Sequence, residues 1–369
     1  MSIIFGAGAT GKKALMKYNN ESIELFVDND ASKDGTTIQG IPVAHFEKAI
    51  DRLKDAHIII ACKAWETIAD QLKEYGISDY EVYGNVGYID IPELILNTYE
   101  DPEPVNKEWM RVEINKQVKA MAEDVLFNHV EIETVNRCNG ICSFCPVNRN
   151  QDPREYKMMD IEVFKKIIDE LSELNYDGKL ALFSNNEPFL DDRIIELHKY
   201  ARAKLPNARM HLCTNGTLLT MEIFNSLMLY LDELIIDNYN AELKVIPSVQ
   251  KIVDYCEEHE ELKQKVTVLL RKPDEVLTNR GGDAPNANFQ NDEGATSCLL
   301  PFKQMIIRPD GKVSLCCNDA LGRCTLGDAS KESLQEIWFG HKFKHVREFL
   351  KEGRANFARC KNCDTIFLC

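Results

Sequence analysis

Three cysteines in one short loop constrain this chain more than anything else in it. Cys138, Cys142 and Cys145 have three and then two residues between them, and they follow the alternating run Val130-Glu131-Ile132-Glu133-Thr134. Period-two alternation reads as a strand, so the thiols are expected at a strand's C-terminal end. A loop that gathers three thiolates can hold three irons of a [4Fe–4S] cube and leave the fourth without a protein ligand. An open iron is available for chemistry, whereas a fully ligated cluster only passes electrons. The competing occupant is a structural zinc ion, which needs a fourth Cys or His nearby. His129 is the only near candidate, and the strand from Val130 onward carries it away from the loop.

Strand and helix patterns alternate from about residue 108 to 290. Ile161, Phe164, Ile167, Ile168, Leu171 and Leu174 trace one helical face. Further strands are read at 180–183, 209–213, 233–237 and 266–270, with helices at 194–200 and around Phe224, Leu227 and Leu231. Such repetition implies a parallel sheet, curved or closed, with its reactive groups at the C-terminal strand ends. The second strand ends in Ser184-Asn185-Asn186-Glu187-Pro188 and the third in Thr214-Asn215-Gly216-Thr217. All three polar clusters are therefore expected on one rim. Glu187 could also cap a helix beginning near Leu190, and Asn215-Gly216 is also an ordinary turn pair.

The cysteine spacing, with Phe144 before the last cysteine, resembles the signature of the radical S-adenosylmethionine (SAM) superfamily. In that family the amino and carboxylate groups of SAM chelate the free iron. The usual second-strand motif, Gly-Gly-Glu-Pro, holds the SAM amino group, and Asn185-Asn186-Glu187-Pro188 matches its Glu-Pro half while departing at both glycines. The resemblance implies that Glu187 accepts from the ammonium and that Asn215 meets the ribose. Arg271 and Arg280 are candidates for a carboxylate of SAM or substrate, or are simply solvated.

Beyond residue 290 the cysteines multiply. Of 13 in the chain, one (Cys62) falls in the first 130 residues and seven in the last 72, a clustering that metal sites produce. Residues 304–308 and 312–316 alternate around Pro309-Asp310-Gly311 and read as a β-hairpin. Leu334, Ile337 and Trp338, then Phe343, Val346 and Phe349, mark amphipathic helical turns. Cys298, twelve residues, Gly311, four residues, Cys316 and the later Cys360-x-x-Cys363 resemble the SPASM/twitch extension of radical SAM enzymes. Carried over, Cys298, Cys316, Cys360 and Cys363 ligate one auxiliary [4Fe–4S] cluster. A second would draw on Cys317, Cys324 and Cys369. A zinc ribbon on the same four cysteines is the alternative.

The first 97 residues read as a Rossmann-like module with strands near 2–5, 23–28, 58–61 and 80–83. Gly6-Ala7-Gly8-Ala9-Thr10-Gly11 lies between strand and helix, and Asp28 ends the second strand. Gly6, Gly8 and Gly11 would let backbone approach a pyrophosphate, and Asp28 would reach a ribose. The module resembles small nucleotide-binding-like domains attached to sugar acyltransferases and sugar C-methyltransferases, so a nucleotide or nucleotide-sugar is its expected ligand. A docking module is the alternative. Thr98–Val105, with two prolines, reads as a linker.

The expected architecture is α/β: a module at 1–97, a partial (β/α)6 radical SAM barrel at 108–290 and a SPASM/twitch domain at 291–369. A formal charge of −15 argues against nucleic acid and anionic membrane as partners. No run suits a spanning helix, and the expected location is cytoplasmic. The resemblance implies an oxidoreductase that reductively cleaves SAM, with flavodoxin or ferredoxin as electron donor. An auxiliary cluster favours dehydrogenation, and the N-terminal module favours a sugar, aminocyclitol or nucleotide-linked sugar as substrate. Epimerisation, with Cys213, Cys317 or Cys324 as hydrogen donor, and peptide maturation are the enzymatic alternatives. A non-catalytic electron carrier or zinc-stabilised scaffold is the alternative of another class.

Overall fold

The computed structural model describes residues 2–18, 23–62, 65–83, 94–97, 107–122, 124–287 and 293–366. The linker expected at Thr98–Val105 and Cys369 lie outside these. The chain forms two compact units, residues 1–93 with 101–109, and 94–100 with 110–367.

The first unit runs β1 (Ser2–Phe5), α1 (Ala9–Tyr18), β2 (Ile23–Asp28), β3 (Thr37–Ile38), β4 (Ile41–His45), α2 (Phe46–Lys54), β5 (His57–Ile60), α3 (Trp65–Glu74) and β6 (Tyr80–Val82). The sheet order is β3-β4-β2-β1-β5-β6, parallel apart from the β3–β4 pair. Setting β3 aside, this is the 3-2-1-4-5 order of a Rossmann sheet without its sixth strand, with the switch point between β1 and β5. Ile3, Ile4, Ile58, Ile59 and Ile60 are buried on both faces of those central strands. Two strands, β3 and β4, were not expected. Each is short, and Pro42 interrupts the apolar alternation of β4.

The second unit begins with β7 (Ile95–Leu96) and, from Met110 onward, α4 (Lys107–Ala120). It continues through β8 (His129–Ile132), α5 (Ile161–Glu173), β9 (Lys179–Ala181), α6 (Ile194–Lys204), β10 (Arg209–Thr214), α7 (Met221–Leu227) and β11 (Glu233–Tyr239). Then come α8 (Pro247–Glu257), α9 (Glu260–Lys263), β12 (Val266–Arg271), α10 (Leu300–Lys303), β13 (Gln304–Ile307), β14 (Lys312–Ser314), β15 (Thr325–Asp328), α11 (Leu334–Trp338) and α12 (His341–Lys351). One nine-stranded sheet joins them in the order β15-β14-β13-β8-β9-β10-β11-β12-β7. From β13 to β7 every pairing is parallel, and only the β13–β14–β15 meander is antiparallel. Residues 95–96 therefore pair in this sheet, and the C-terminal segment shares it through β13.

Local chemistry starts the helices where the strands need them. Asp160 caps α5 by accepting from the Glu162 N–H, and Phe164, Ile167, Ile168 and Leu171 turn inward. Ser333 and Glu336 form a capping box on α11. Trp338 is fully buried against Phe127 and Phe343, and its Nε1 donates to the Val125 carbonyl at 2.9 Å. In α12 the buried face is Phe343, Val346 and Leu350. Phe349, expected there, faces outward at 36% exposure because the helical period selects its neighbour.

Candidate active site and iron–sulfur ligands

β8, β9 and β10 run parallel, so their C-terminal loops emerge on one side. The cysteine loop is fixed from within. Asn148 Nδ2 donates to the carbonyls of Cys142 (3.2 Å) and Cys145 (2.9 Å), and the Gly140 N–H donates to Cys138 Sγ at 3.3 Å. A Cβ at Gly140 would stand 3.3 Å from Cys138 Sγ and 3.8 Å from Cys142 Sγ, so a glycine there leaves both sulfurs facing one volume. Burial foremost pushes the Cys138 thiol up to about 11 and the Cys142 thiol to about 12, with neighbouring thiols adding to it. Thiolates bound to iron are relieved of that cost by the metal's charge, so the donor set fits a cationic iron group.

Glu187 links all three loops. Its N–H donates to the Arg137 carbonyl at 2.9 Å. Its buried carboxylate accepts from Thr214 Oγ1 (2.8 Å), the Asn215 N–H (2.9 Å) and the Phe189 N–H (3.2 Å). Pro188 opens the single 3-10 turn that this last bond caps. Burial raises the Glu187 carboxyl to about 7, against the pull of these donors. An ammonium would supply the counter-charge it lacks. Asn185 Oδ1 and Asn186 Nδ2 are buried with no partner among the described residues, the kind of orphan a polar ligand satisfies. Asn215 is differently engaged. Its Nδ2 donates to Asn139 Oδ1 at 2.7 Å and lies 4.0 Å from Cys138 Sγ, and its Oδ1 accepts from the N–H and Oγ1 of Thr217, so it braces the cysteine loop.

Several polar groups on the strands' inner faces escaped the sequence reading. Glu131 accepts from Ser184 Oγ and Gln304 Nε2, both at 2.6 Å. Asn185 Nδ2 donates to the Cys317 carbonyl (3.0 Å), and the Cys317 N–H donates to Gln304 Oε1 (3.3 Å). A buried network thus runs from the second rim loop to the residue beside Cys316. Burial raises the Glu131 carboxyl to about 7. Asp237, near the end of β11, is likewise raised by burial, and the rim rule carried one strand further finds it. Arg271 stands 3.8 Å from Asp237 but pairs at 2.8 Å with Glu275. The Arg280 side chain makes no hydrogen bond or ion pair among the described residues, and its charge lowers the carboxyls of both Glu131 and Asp237. Its backbone holds a φ of +51° beside Gly281 and Gly282.

Cys298, Cys316, Cys360 and Cys363 lie in the same unit, near enough to act on one another electrostatically, while no group of three or more His, Cys, Asp or Glu among the described residues is close-set enough to hold a metal ion. Burial first pushes all of Cys298, Cys316 and Cys360 up; next come Cys317 and then the rest of the set at Cys316, Cys298 and Cys363 at Cys360, and Cys363 at Cys298. Arg354, 1% exposed, donates to the Ser297 carbonyl (3.0 and 2.9 Å) and to that of Cys363 (3.1 Å). Its hydrogen-bond partners are neutral, and its charge opposes the rise of Cys298 and Cys360 and also helps to lower the Glu293 carboxyl. Four thiols with a buried guanidinium fit an anionic four-thiolate cluster.

In the first unit the glycines divide. A Cβ on Gly6 would meet the Ala61 carbonyl oxygen at 2.3 Å and one on Gly11 the Gly6 oxygen at 1.8 Å, while one on Gly8 would meet nothing within 4 Å. Asp28 Oδ2 accepts from the Ala7 N–H (2.7 Å) and from Lys33 (2.9 Å), so it closes the glycine turn.

Residues 132–270 match the Radical SAM superfamily, and residues 298–364 match SPASM, an iron–sulfur cluster-binding domain. The chain is a radical SAM enzyme. Residues 2–83 match the C2185-like N-terminal family. This radical SAM enzyme is 29% identical over 245 residues to the S-adenosyl-L-methionine-dependent 2-deoxy-scyllo-inosamine dehydrogenase of Niallia circulans, a span covering 66% of this chain and 95% of the relative. It is similar to the crystal structure of BtrN in complex with AdoMet and 2-DOIA, with 27% identity and a TM-score of 0.58 over 66% of this chain and 95% of that one. The open conformation of BtrN, at 24% identity and a TM-score of 0.50 over 66% and 94%, shares the fold. The radical SAM enzyme uses SAM, a [4Fe–4S] cluster and auxiliary iron–sulfur binding in its SPASM domain. Reductive cleavage of SAM supplies a 5′-deoxyadenosyl radical that abstracts hydrogen from substrate. No helix among the described residues is long and apolar enough to cross a membrane.

Proposed function

We propose that the enzyme oxidises a secondary alcohol on a polyhydroxylated ring, a sugar, an aminocyclitol or a nucleotide-linked sugar, to the ketone. The carrying observation is the four-thiol site joined by the Gln304–Cys317 network to the inner face of the sheet, in a chain whose core is similar to a dehydrogenase of an aminocyclitol. Loss of a hydrogen atom leaves an electron and a proton to be removed, and a second cluster accepts the electron.

In this reading Cys138, Cys142 and Cys145 hold the SAM-binding cluster, and Cys298, Cys316, Cys360 and Cys363 the auxiliary one. Glu187 accepts an N–H of the SAM amino group in a charge-assisted bond, Pro188 sets its turn, and Asn185 and Asn186 meet polar groups of SAM. Asn215 holds the cysteine loop in place. Arg280 and Asp237 offer a cation and an anion to the substrate. The core spans about 108–290 and the auxiliary domain 291–369. The 1–97 module takes a nucleotide or nucleotide-sugar at its glycine turn over Gly8, with Gly6 and Gly11 packing the turn and Asp28 holding it closed, a reading supported by the open space over Gly8. Flavodoxin or ferredoxin supplies the electron, in the cytoplasm.

Anaerobically reconstituted protein given dithionite, SAM and a panel of aminocyclitols and nucleotide sugars should release 5′-deoxyadenosine. It should also form a product lighter by two hydrogens, in equal amount. Deoxyadenosine with an isomer of unchanged mass would replace oxidation by epimerisation. None with any ring substrate would defeat the substrate class.

A further inference from the structure

The proposed oxidation removes two electrons from substrate. One leaves within the abstracted hydrogen atom, and the other must leave the auxiliary site before the next turnover. An exit needs a surface that lies against the four-thiol site and attracts a carrier. The outer face of α12 meets both conditions.

The helix reads HKFKHVREFLK, four Lys or Arg against one Glu, in a chain with 44 basic and 59 acidic residues. Burial of Phe343, Val346 and Leu350 turns His341, Lys342, Lys344 and His345 outward, and all four are exposed. Arg347 is structural: its guanidinium lies 3.9 Å over the Trp338 ring and donates to the Pro301 and Trp338 carbonyls. The available cations are therefore the lysines. Beside them runs an open groove lined by Cys324, Leu326, Lys342, His345 and Phe357. Its lining residue Phe357 lies one backbone hydrogen bond from Cys360. The Phe357 carbonyl accepts from the Cys360 N–H at 2.9 Å, and the Phe357 ring centroid lies 6.3 Å from that of Phe349, which meets His345 edge-on at 4.7 Å. Cys324 is close enough to Cys360 to act on it electrostatically.

We infer that this face docks an acidic one-electron carrier protein, which receives at the Cys360 turn the electron left by the substrate. The carrier passes from its oxidised to its one-electron-reduced form, the auxiliary site returns to its oxidised state, and no group or proton is transferred between them. The inference rests on the four cysteines being cluster ligands. Complementary charge steers the encounter, which weakens as salt screens it.

Oxidised flavodoxin titrated into the reconstituted full-length enzyme, followed by flavin fluorescence anisotropy, should bind at low salt and weaken steeply at high salt. The double variant Lys342→Glu/Lys344→Glu should weaken binding about tenfold or more. Lys251→Glu, on the exposed side of α8, should not. Stopped-flow reduction of flavodoxin by the pre-reduced enzyme should slow in parallel, with iron content and circular dichroism unchanged. Normal iron with unchanged affinity in the double variant would overturn the docking face alone, as would a short oligonucleotide displacing flavodoxin. Iron for a single cube in the wild type would overturn the ligand assignment beneath it.

Discussion

Cys138, Cys142 and Cys145 come from eight consecutive residues, whereas Cys298, Cys316, Cys360 and Cys363 are gathered across sixty-six. The first set is shaped by its own loop, through Asn148 on two cysteine carbonyls and Gly140 between two sulfurs. The second depends on the chain after β14, the turn after α12 and a buried arginine meeting in space. A site with a withheld ligand can be local, because three donors suffice and the open side must face a cofactor. A closed site needs donors on all sides, which one tight loop cannot supply. The short loop therefore suits reactivity, and the distributed set cross-links a domain.

The largest test of that contrast is Cys142→Ala, which should abolish 5′-deoxyadenosine release while leaving about four irons in the auxiliary site. Residual release would mean that the loop is not the reactive centre. Next, Cys363→Ala should leave deoxyadenosine release measurable but eliminate the oxidised product. It should also lower the melting temperature more than Cys142→Ala does, since ligation that ties distant segments contributes to folding. Equal thermal effects would erase the distinction.

A smaller change is expected from Glu187→Gln, about 10- to 100-fold weaker SAM binding by calorimetry, from losing a charge-assisted bond. Because burial raises this carboxyl to about 7, its anionic form predominates only above that pH. Wild-type SAM affinity should accordingly rise between pH 6 and 8, and the variant should be flat. Least in effect, Arg354→Gln should lower the auxiliary midpoint potential by on the order of tens of millivolts in an EPR-monitored titration, with Arg354→Lys restoring part of it. An unchanged potential would mean that the buried guanidinium serves packing only.

Legibility followed the same division. The parallel sheet was readable because β8, β10, β11 and β12 carry unbroken apolar or alternating runs, and their helices carry strong single-face patterns. Asp237 lay at a rim position that the rule already covered and was passed over. Gln304 and Arg354 left no local signal, since each acts through a partner far along the chain. Asp28 and Asn215 stood at the expected strand ends, yet backbone and loop donors nearby engage their side chains.

Sequence alone determined the three-thiol loop, the strand that presents it and the spacing of the later cysteines, because these are encoded by neighbours and short periods. Only tertiary structure decided that Glu187 ties three loops together, that Arg354 is buried near Cys298 and Cys360 and that α12 sets its lysines outward beside the Cys360 turn. Those relations arise where segments remote in sequence meet, and burial there is the largest cause of the raised Glu187 carboxyl and cysteine thiols.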